Sequence, residues 1–372
     1  MKIGFDGRSI NWYNGTGIGT YSNNLLINLL NIDKTNDFNI FWNGNNYNKY
    51  KTVNSNYILT SRRQHSYYED CLIPSFIKKN NMDIYHIPQN GIGYSDTLTC
   101  KTIVTIHDLI PYIMPQTVGS GYLKKFLTQI PRILDKCNGI ITVSEYSKQD
   151  IIRFFPDTKD KVYVTPLAAD SIYKPLDKEI CKHSLNEKYN MDKPFILYVG
   201  GFSERKNVES IIQSFHNIYK KLNKEYNLII LGSIRDKLST LKSLVEKLDM
   251  NENIKFLGFI ENNMLPVFYS AADVFIYPSF YEGFGLPPLE AMSCGCPVIS
   301  SNTTSIPEVI KDAGILIDPY NIKSIENALE SVLNNNTLRE NLSLKGLSRS
   351  SLFSWDNTAK LTLDAYNEVY KK

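Results

Sequence analysis

The stretch Tyr277-Pro-Ser-Phe-Tyr-Glu282-Gly-Phe-Gly-Leu-Pro-Pro-Leu-Glu290-Ala-Met-Ser-Cys-Gly-Cys-Pro-Val-Ile-Ser300 reads as strand, glycine turn, helix, turn, strand. The run Asp273-Val-Phe-Ile-Tyr-Pro278 has the unbroken apolar composition of a parallel strand buried on both faces. Gly283 and Gly285 allow a tight passage into a helix, and Pro287 and Pro288 suit its first turn, where an amide hydrogen has no intrahelical partner. Glu282 then lies just before the helix and Glu290 about one turn inside it. Between them, the amides of Phe284, Gly285 and Leu286 make a helix N-terminus that attracts anionic oxygens. Amides for a diphosphate, framed by carboxylates that accept hydrogen bonds from hydroxyls, point to a sugar nucleotide. The competing reading is an ordinary strand-to-helix turn with two solvated glutamates.

Downstream and upstream of this stretch the same rhythm continues. Phe195-Ile-Leu-Tyr-Val199 is another buried strand, and Gly200-Gly-Phe-Ser-Glu-Arg205-Lys206 leads from it into a helix over 208–221. Two cations at a strand end, before a helix, form a clamp for a diphosphate, Arg as a planar fork and Lys as a point charge. Strands over 227–232 and 254–259 alternate with helices over 237–248 and 262–272, the pattern of a doubly wound parallel sheet. Residues 314–318 read as a further strand, and helices run from Asn321 to the end.

The N-terminal half has its own set of strands. Lys2-Ile-Gly-Phe-Asp6 opens the chain, followed by Asp6-Gly-Arg8 and the loop Gly15-Thr-Gly17-Ile-Gly19-Thr-Tyr21 before a helical pattern. That spacing is not the G-x-G-x-x-G of a dinucleotide site. Short strands over 38–60, a helix over 66–80 and a strand over 83–88 follow, the last with His86 as a core histidine. The β-branched strand Lys101-Thr-Ile-Val-Thr-Ile ends in His107-Asp108, at the carboxyl end where open α/β sheets bind ligands. Strands over 139–143 and 161–165 close the set, and residues 168–192, with Pro175, read as an interdomain linker.

A chain of 372 residues is longer than single cores usually grow, so two domains are expected. The formal charge of +3 is too near balance for a nucleic-acid partner. The opening strand leaves no room for a signal peptide, and no apolar run is long enough to span a bilayer, which predicts a cytoplasmic protein. Residues 1–173 carry 18 Lys and Arg against 14 Asp and Glu, and the amphipathic stretch over 122–136 displays Lys124, Lys125, Arg132 and Lys136. This allows a weak peripheral contact with the inner face of a membrane, although a solvated helix face explains it as well. The six cysteines are scattered, and the one close pair, Cys294 and Cys296, has no second pair or nearby His, so no metal site is expected.

Glu282-x7-Glu290 with Gly-Phe-Gly-Leu-Pro inside it and Cys294-Gly-Cys-Pro-Val-Ile after it resembles the signature of retaining glycosyltransferases of family 4. The resemblance extends over essentially the whole chain, including Asp6-Gly-Arg8, Thr16-Gly-Ile-Gly-Thr-Tyr21, His107-Asp108 and the strand-Gly-x4-Arg205-Lys206 signature. It implies the GT-B fold: α/β, two Rossmann-like doubly wound domains facing a central cleft. Residues 1–174 would form the acceptor domain, 175–355 the donor domain, and the final helix, about 356–372, would pack back onto the first.

By the same resemblance, Gly17 and Gly19 let the backbone approach the donor diphosphate or the acceptor, and His107 and Asp108 lie beside the transferred sugar. Arg205 and Lys206 neutralise the departing diphosphate, Glu282 contacts hydroxyls of the sugar, and Glu290 takes the ribose diol. The turn Gly258-Phe-Ile260 would hold the base. Gly201 stands where some members carry a further arginine, which leaves the charge to Arg205 and Lys206. No Asp-x-Asp triplet is present, so neither metal nor other cofactor is implied. His107-Asp-Leu-Ile-Pro with Gly-Ile-Gly-Thr-Tyr21 is most similar to the mannosyltransferase B-like subgroup, which implies mannose from GDP-mannose and a glycan or lipid-linked glycan acceptor of O-antigen type. UDP and dTDP sugars remain open, as do a GT-B epimerase acting on UDP-N-acetylglucosamine and a silent sugar-nucleotide-binding subunit.

Overall fold

A computed structural model describes residues 1–232 and 238–372, and the chain divides into two units, Met1–Leu167 with Ser354–Lys372, and Ala168–Phe353. The first unit is built on seven parallel strands: β1 (Lys2–Asp6), β2 (Asp37–Asn43), β3 (Ser55–Thr60), β4 (Ile84–Ile87), β5 (Lys101–Thr105), β6 (Gly139–Thr142) and β7 (Val162–Val164). Their order is β3-β2-β1-β4-β5-β6-β7, so the direction of strand addition reverses between β1 and β4. β1 and β4–β6 are almost wholly buried, as runs such as Ile-Gly-Phe and Ile-Tyr-His-Ile require, because helices cover both faces of a parallel sheet.

The second unit repeats the design with β8 (Phe195–Val199), β9 (Asn227–Leu231), β10 (Ile254–Gly258), β11 (Val274–Tyr277), β12 (Val298–Ser301) and β13 (Ile315–Ile317). The order β10-β9-β8-β11-β12-β13 is again all parallel and reverses between β8 and β11. Each sheet therefore has a switch point where two neighbouring strands feed loops in opposite directions, the place where doubly wound sheets bind ligands. The α/β fold class of two Rossmann-like sheets is the one the sequence implies.

The units divide at 167/168 and 353/354, against the 174/175 and 355/356 expected. The last helix, Trp355–Lys371, completes the first unit. The Tyr366 hydroxyl lies 2.6 Å from Nδ1 of the buried His86, whose Nε2 is 2.8 Å from Thr105 Oγ1. Burial and the neighbouring His107 push His86 down to about 3, so it sits in the core as a neutral ring.

Three helices differ from expectation. The one expected over 66–80 is broken into pieces: a π-helical turn, Tyr68–Leu72, runs into Ile73–Asn80, where Pro74, lacking an amide hydrogen, takes a first-turn position. The one expected over 237–248 is Leu238–Lys247, with Lys237 outside the described residues. The helix expected over 262–272 is shortened to Leu265–Ala271, again with a proline in its first turn. Among the described residues no helix is long and apolar enough to cross a membrane.

Candidate active site

In the second unit the quoted stretch becomes β11, a loop and the helix Leu286–Ser293. Gly285 caps that helix at φ +115°, and a Cβ there would come within 2.6 Å of Ile306 Cδ1, so no other residue fits the turn. The N–H groups of Phe284, Gly285 and Leu286 meet no acceptor among the described residues, while Pro287 and Pro288 have none to offer. Three consecutive amides are thereby left at a helix N-terminus, as expected. Ser305 Oγ fixes the loop by donating to the carbonyls of Glu282 (2.8 Å) and Phe284 (2.9 Å), and Thr304 Oγ1 accepts the Glu282 N–H at 3.1 Å.

Arg205 and Lys206, which follow β8, converge on Glu282, which follows β11. Arg205 Nη1 and Lys206 Nζ each lie 2.7 Å from the same oxygen, Glu282 Oε1. Arg205 also donates to the Tyr281 carbonyl at 2.5 Å, and Lys206 donates to the Tyr277 hydroxyl while sitting 4.8 Å above that ring. Burial alone would raise the Glu282 carboxyl, but Arg205 and Lys206 outweigh it and hold the group down to about 2. The family resemblance implies contact with sugar hydroxyls for Glu282. In the structure it is the counterion that holds both cations at the switch point of the sheet.

Glu290 stands in contrasting surroundings, eight residues later. Its neighbours are tyrosines: the Tyr269 hydroxyl donates to Oε2 at 3.2 Å, and Tyr173 bonds to the same carboxyl. Burial pushes Glu290 up to about 7, a rise that the two hydroxyls reduce without cancelling. No cation pairs with Glu290 among the described residues. In the turn expected to hold the base, Gly258 adopts φ +74° and Phe259 is 67% exposed.

In the first unit His107 follows β5. Its Nε2 is 2.9 Å from the Pro88 carbonyl, which can only accept, so Nε2 carries the proton and Nδ1 is the acceptor. The ring packs edge-on against Tyr21, centroids 4.7 Å apart. Burial lowers His107 to about 4, and it is therefore neutral at pH 7. Asp108 follows at once, and its Oδ1 accepts the Ile110 N–H at 3.0 Å, a local turn closure.

The two glycines of the N-terminal loop stand in different surroundings. Gly17 starts the helix Gly17–Ile32 with open space where a side chain would go. Gly19 is required by the chain itself, because a Cβ there would lie 2.1 Å from the Tyr13 carbonyl oxygen. Among the described residues no group of three His, Cys, Asp or Glu side chains could hold a metal ion.

Residues 182–349 match the family described as glycosyl transferases group 1, and residues 41–171 match glycosyltransferase family 4. An O-antigen chain mannosyltransferase B of Escherichia coli is 35% identical over 76% of this chain and 74% of its own length. The chain belongs to these glycosyltransferases. Among solved structures, the glycosyltransferase superposes on sucrose-phosphate synthase from Thermosynechococcus elongatus with a TM-score of 0.79 at 20% identity, over 100% of this chain and 99% of that one. It superposes on Anabaena HepE, solved in complex with UDP and glucose, with a TM-score of 0.77 at 16% identity, over 99% and 100%.

Within the glycosyltransferase, sequence reasoning missed the tyrosines. Tyr277 was read only as the end of a buried strand, yet it supports Lys206. Tyr173 and Tyr269 come from segments 117 and 21 residues before Glu290, so no local pattern announces them.

Proposed function

We propose that the chain is a retaining glycosyltransferase that moves mannose from GDP-mannose to a glycan or lipid-linked glycan acceptor in the synthesis of O-antigen or a similar surface polysaccharide. The observation that carries this reading is the pair Arg205 and Lys206, held on one oxygen of Glu282 beside the three amides of Phe284, Gly285 and Leu286. Two cations and a helix N-terminus are what a departing nucleoside diphosphate needs, since catalysis of its loss is charge stabilisation by groups already in place. Glu282 accepts from sugar hydroxyls, and Glu290 from the ribose diol. His107, neutral with Nδ1 as acceptor, orients a hydroxyl of the transferred sugar and supplies no proton.

The proton of the attacking hydroxyl passes to the departing phosphate oxygen, and configuration is kept, as the family resemblance implies. Charge compensation is assigned to the protein, with no divalent cation. The 35% identical mannosyltransferase supports mannose as the sugar. Work at the inner face of the cell membrane fits the helix Ser120–Lys136, whose Lys124, Lys125, Arg132 and Lys136 are exposed.

The test is a melting-temperature series with GDP, UDP, dTDP and ADP and their sugars. A ligand at a hundred times its Kd adds ~2.7 kcal/mol of stability. A selective response to GDP and GDP-mannose is expected. A selective response to UDP or dTDP moves the donor while leaving the site, and indifference to all of them refutes the reading.

A further inference from the structure

Glu290 sits on the helix Leu286–Ser293, one turn beyond the three amides that meet no acceptor among the described residues. Helical side chains lean toward the helix N-terminus, so Glu290 leans toward those amides from about one turn away, ~5.4 Å along the axis. The phosphates of a nucleotide and the hydroxyls of its ribose are separated by a similar span. Glu290 is only half-buried, so a ligand can reach it.

On its inner side the carboxyl is braced by phenols. Tyr269, completely buried on the helix Leu265–Ala271, donates to Oε2 at 3.2 Å, and Tyr173 bonds to the same carboxyl. The two rings meet edge to face with centroids 5.9 Å apart, and Tyr269 packs in turn on Phe275 of β11 at 5.3 Å. Burial raises both phenols, so both keep their protons and act as donors.

Tyr173 arrives from residues 168–177, which form no helix or strand, yet this segment is fastened along its length. The Tyr173 N–H donates to the Asp170 carbonyl at 3.0 Å, and the Lys174 N–H bonds to Cys294. The Leu176 N–H donates to Ser270 Oγ at 3.2 Å, and Lys178 Nζ lies 2.6 Å from Asp273 Oδ1. Ser270 adjoins Tyr269, and Cys294 lies one turn beyond Glu290, so the strap is tied to both elements that build the cluster. Ordering an irregular segment costs conformational entropy, and what this one delivers is a hydroxyl to Glu290. A carboxylate has about four acceptor sites, so two phenols can fix its rotamer and still leave room for the two hydroxyls of a vicinal diol.

We propose that Tyr173 and Tyr269 are positioning residues, which hold Glu290 for the ribose hydroxyls and so make the enzyme select ribonucleotide over 2′-deoxyribonucleotide donors. The inference rests on the reading of the chain as a glycosyltransferase whose Glu290 takes the ribose diol.

The test is calorimetric titration of the full chain with GDP and 2′-deoxy-GDP, or with UDP and 2′-deoxy-UDP should UDP give the larger melting shift. The parent should prefer the ribonucleotide ~10- to 100-fold, the worth of a hydrogen bond to a charged group that the analogue leaves unmade. Tyr173→Phe and Tyr269→Phe should each shrink that preference ~threefold or more, by weakening the ribonucleotide more than its deoxy form. A purely structural tyrosine would weaken both nucleotides alike, so equal weakening, or none, would overturn the proposal. Should Tyr173→Phe lose its cooperative melting, Tyr269→Phe carries the same comparison. In a Glu290→Ala background neither change should alter the preference further, since no carboxylate is left to position, and a persisting effect would also overturn it. The failures are separable. Nucleotide binding without the ribose preference, or a selective response to dTDP, sinks this inference and leaves glycosyl transfer standing, whereas no binding of any nucleotide sinks both.

Discussion

The two switch points of this protein carry the same pair of groups, an arginine against a carboxylate, with opposite electrical outcomes. In the first sheet Arg8 is locked by both arms onto Asp6, two residues away, and Glu69 brings the trio to −1. In the second, Arg205 and Lys206 share one oxygen of Glu282, which leaves that trio at +1. A surplus cation beside free amides suits a diphosphate, whereas the buried Arg8–Asp6 pair, joined by Gln89, ties together the carboxyl ends of β1 and β4. One topology, used twice, is thus differentiated by a few side chains at the ends of its strands.

Removing Lys206 erases the contrast, since Arg205 and Glu282 alone would form a neutral pair. Lys206→Ala should reduce turnover ~100-fold or more, in line with the loss of a preorganised charge at a developing anion. Near-normal single-turnover rates would remove Lys206 from the reaction. Glu282→Gln sharpens the contrast by raising the surplus to +2. Turnover should fall through lost sugar contacts while GDP binds no more weakly than before, and calorimetric titration with GDP checks this.

The pH dependence separates the two glutamates. Glu282, held near 2 against an unperturbed 4.5, lends stability that is present above pH 4.5 and lost as pH falls toward 2. The full shift corresponds to about 3 kcal/mol, so acid unfolding curves of Glu282→Gln should lose that limb. Glu290, raised to about 7, acts the other way, with stability declining as pH rises from 4.5 through 7. Glu290→Gln, which keeps an acceptor for Tyr269, should melt higher than the parent at pH 8 and about equally at pH 4. The smallest effect expected is from EDTA, which should leave transfer unchanged, and complete loss of activity would refute charge compensation by Arg205 and Lys206 alone.

Much of the fold was legible because parallel strands buried on both faces are written as apolar runs. Phe195–Val199 and Val274–Tyr277 needed no other signal. The helix N-terminus at Gly285 was legible for a similar reason, since glycine and proline act through local backbone chemistry. What depends on distant groups was not. The residues of the Arg8–Asp6 ion pair lay in plain view as Asp-Gly-Arg, but that Gln89 joins them follows from the pairing of β1 with β4. The domain boundary was placed too late because residues 168–177 form no helix or strand that would announce it.

Residues Ser354–Lys372 belong to the first unit, so its chain is interrupted by the whole of the second. On the ribosome, the sheet of the first unit emerges early but waits for nearly two hundred further residues before Tyr366 can reach His86. Until release, Nδ1 of His86 lacks its Tyr366 partner, and the helix Gly17–Ile32 lacks the cover of the last helix. A stop codon that removes only the last helix would therefore damage the part of the protein synthesised first.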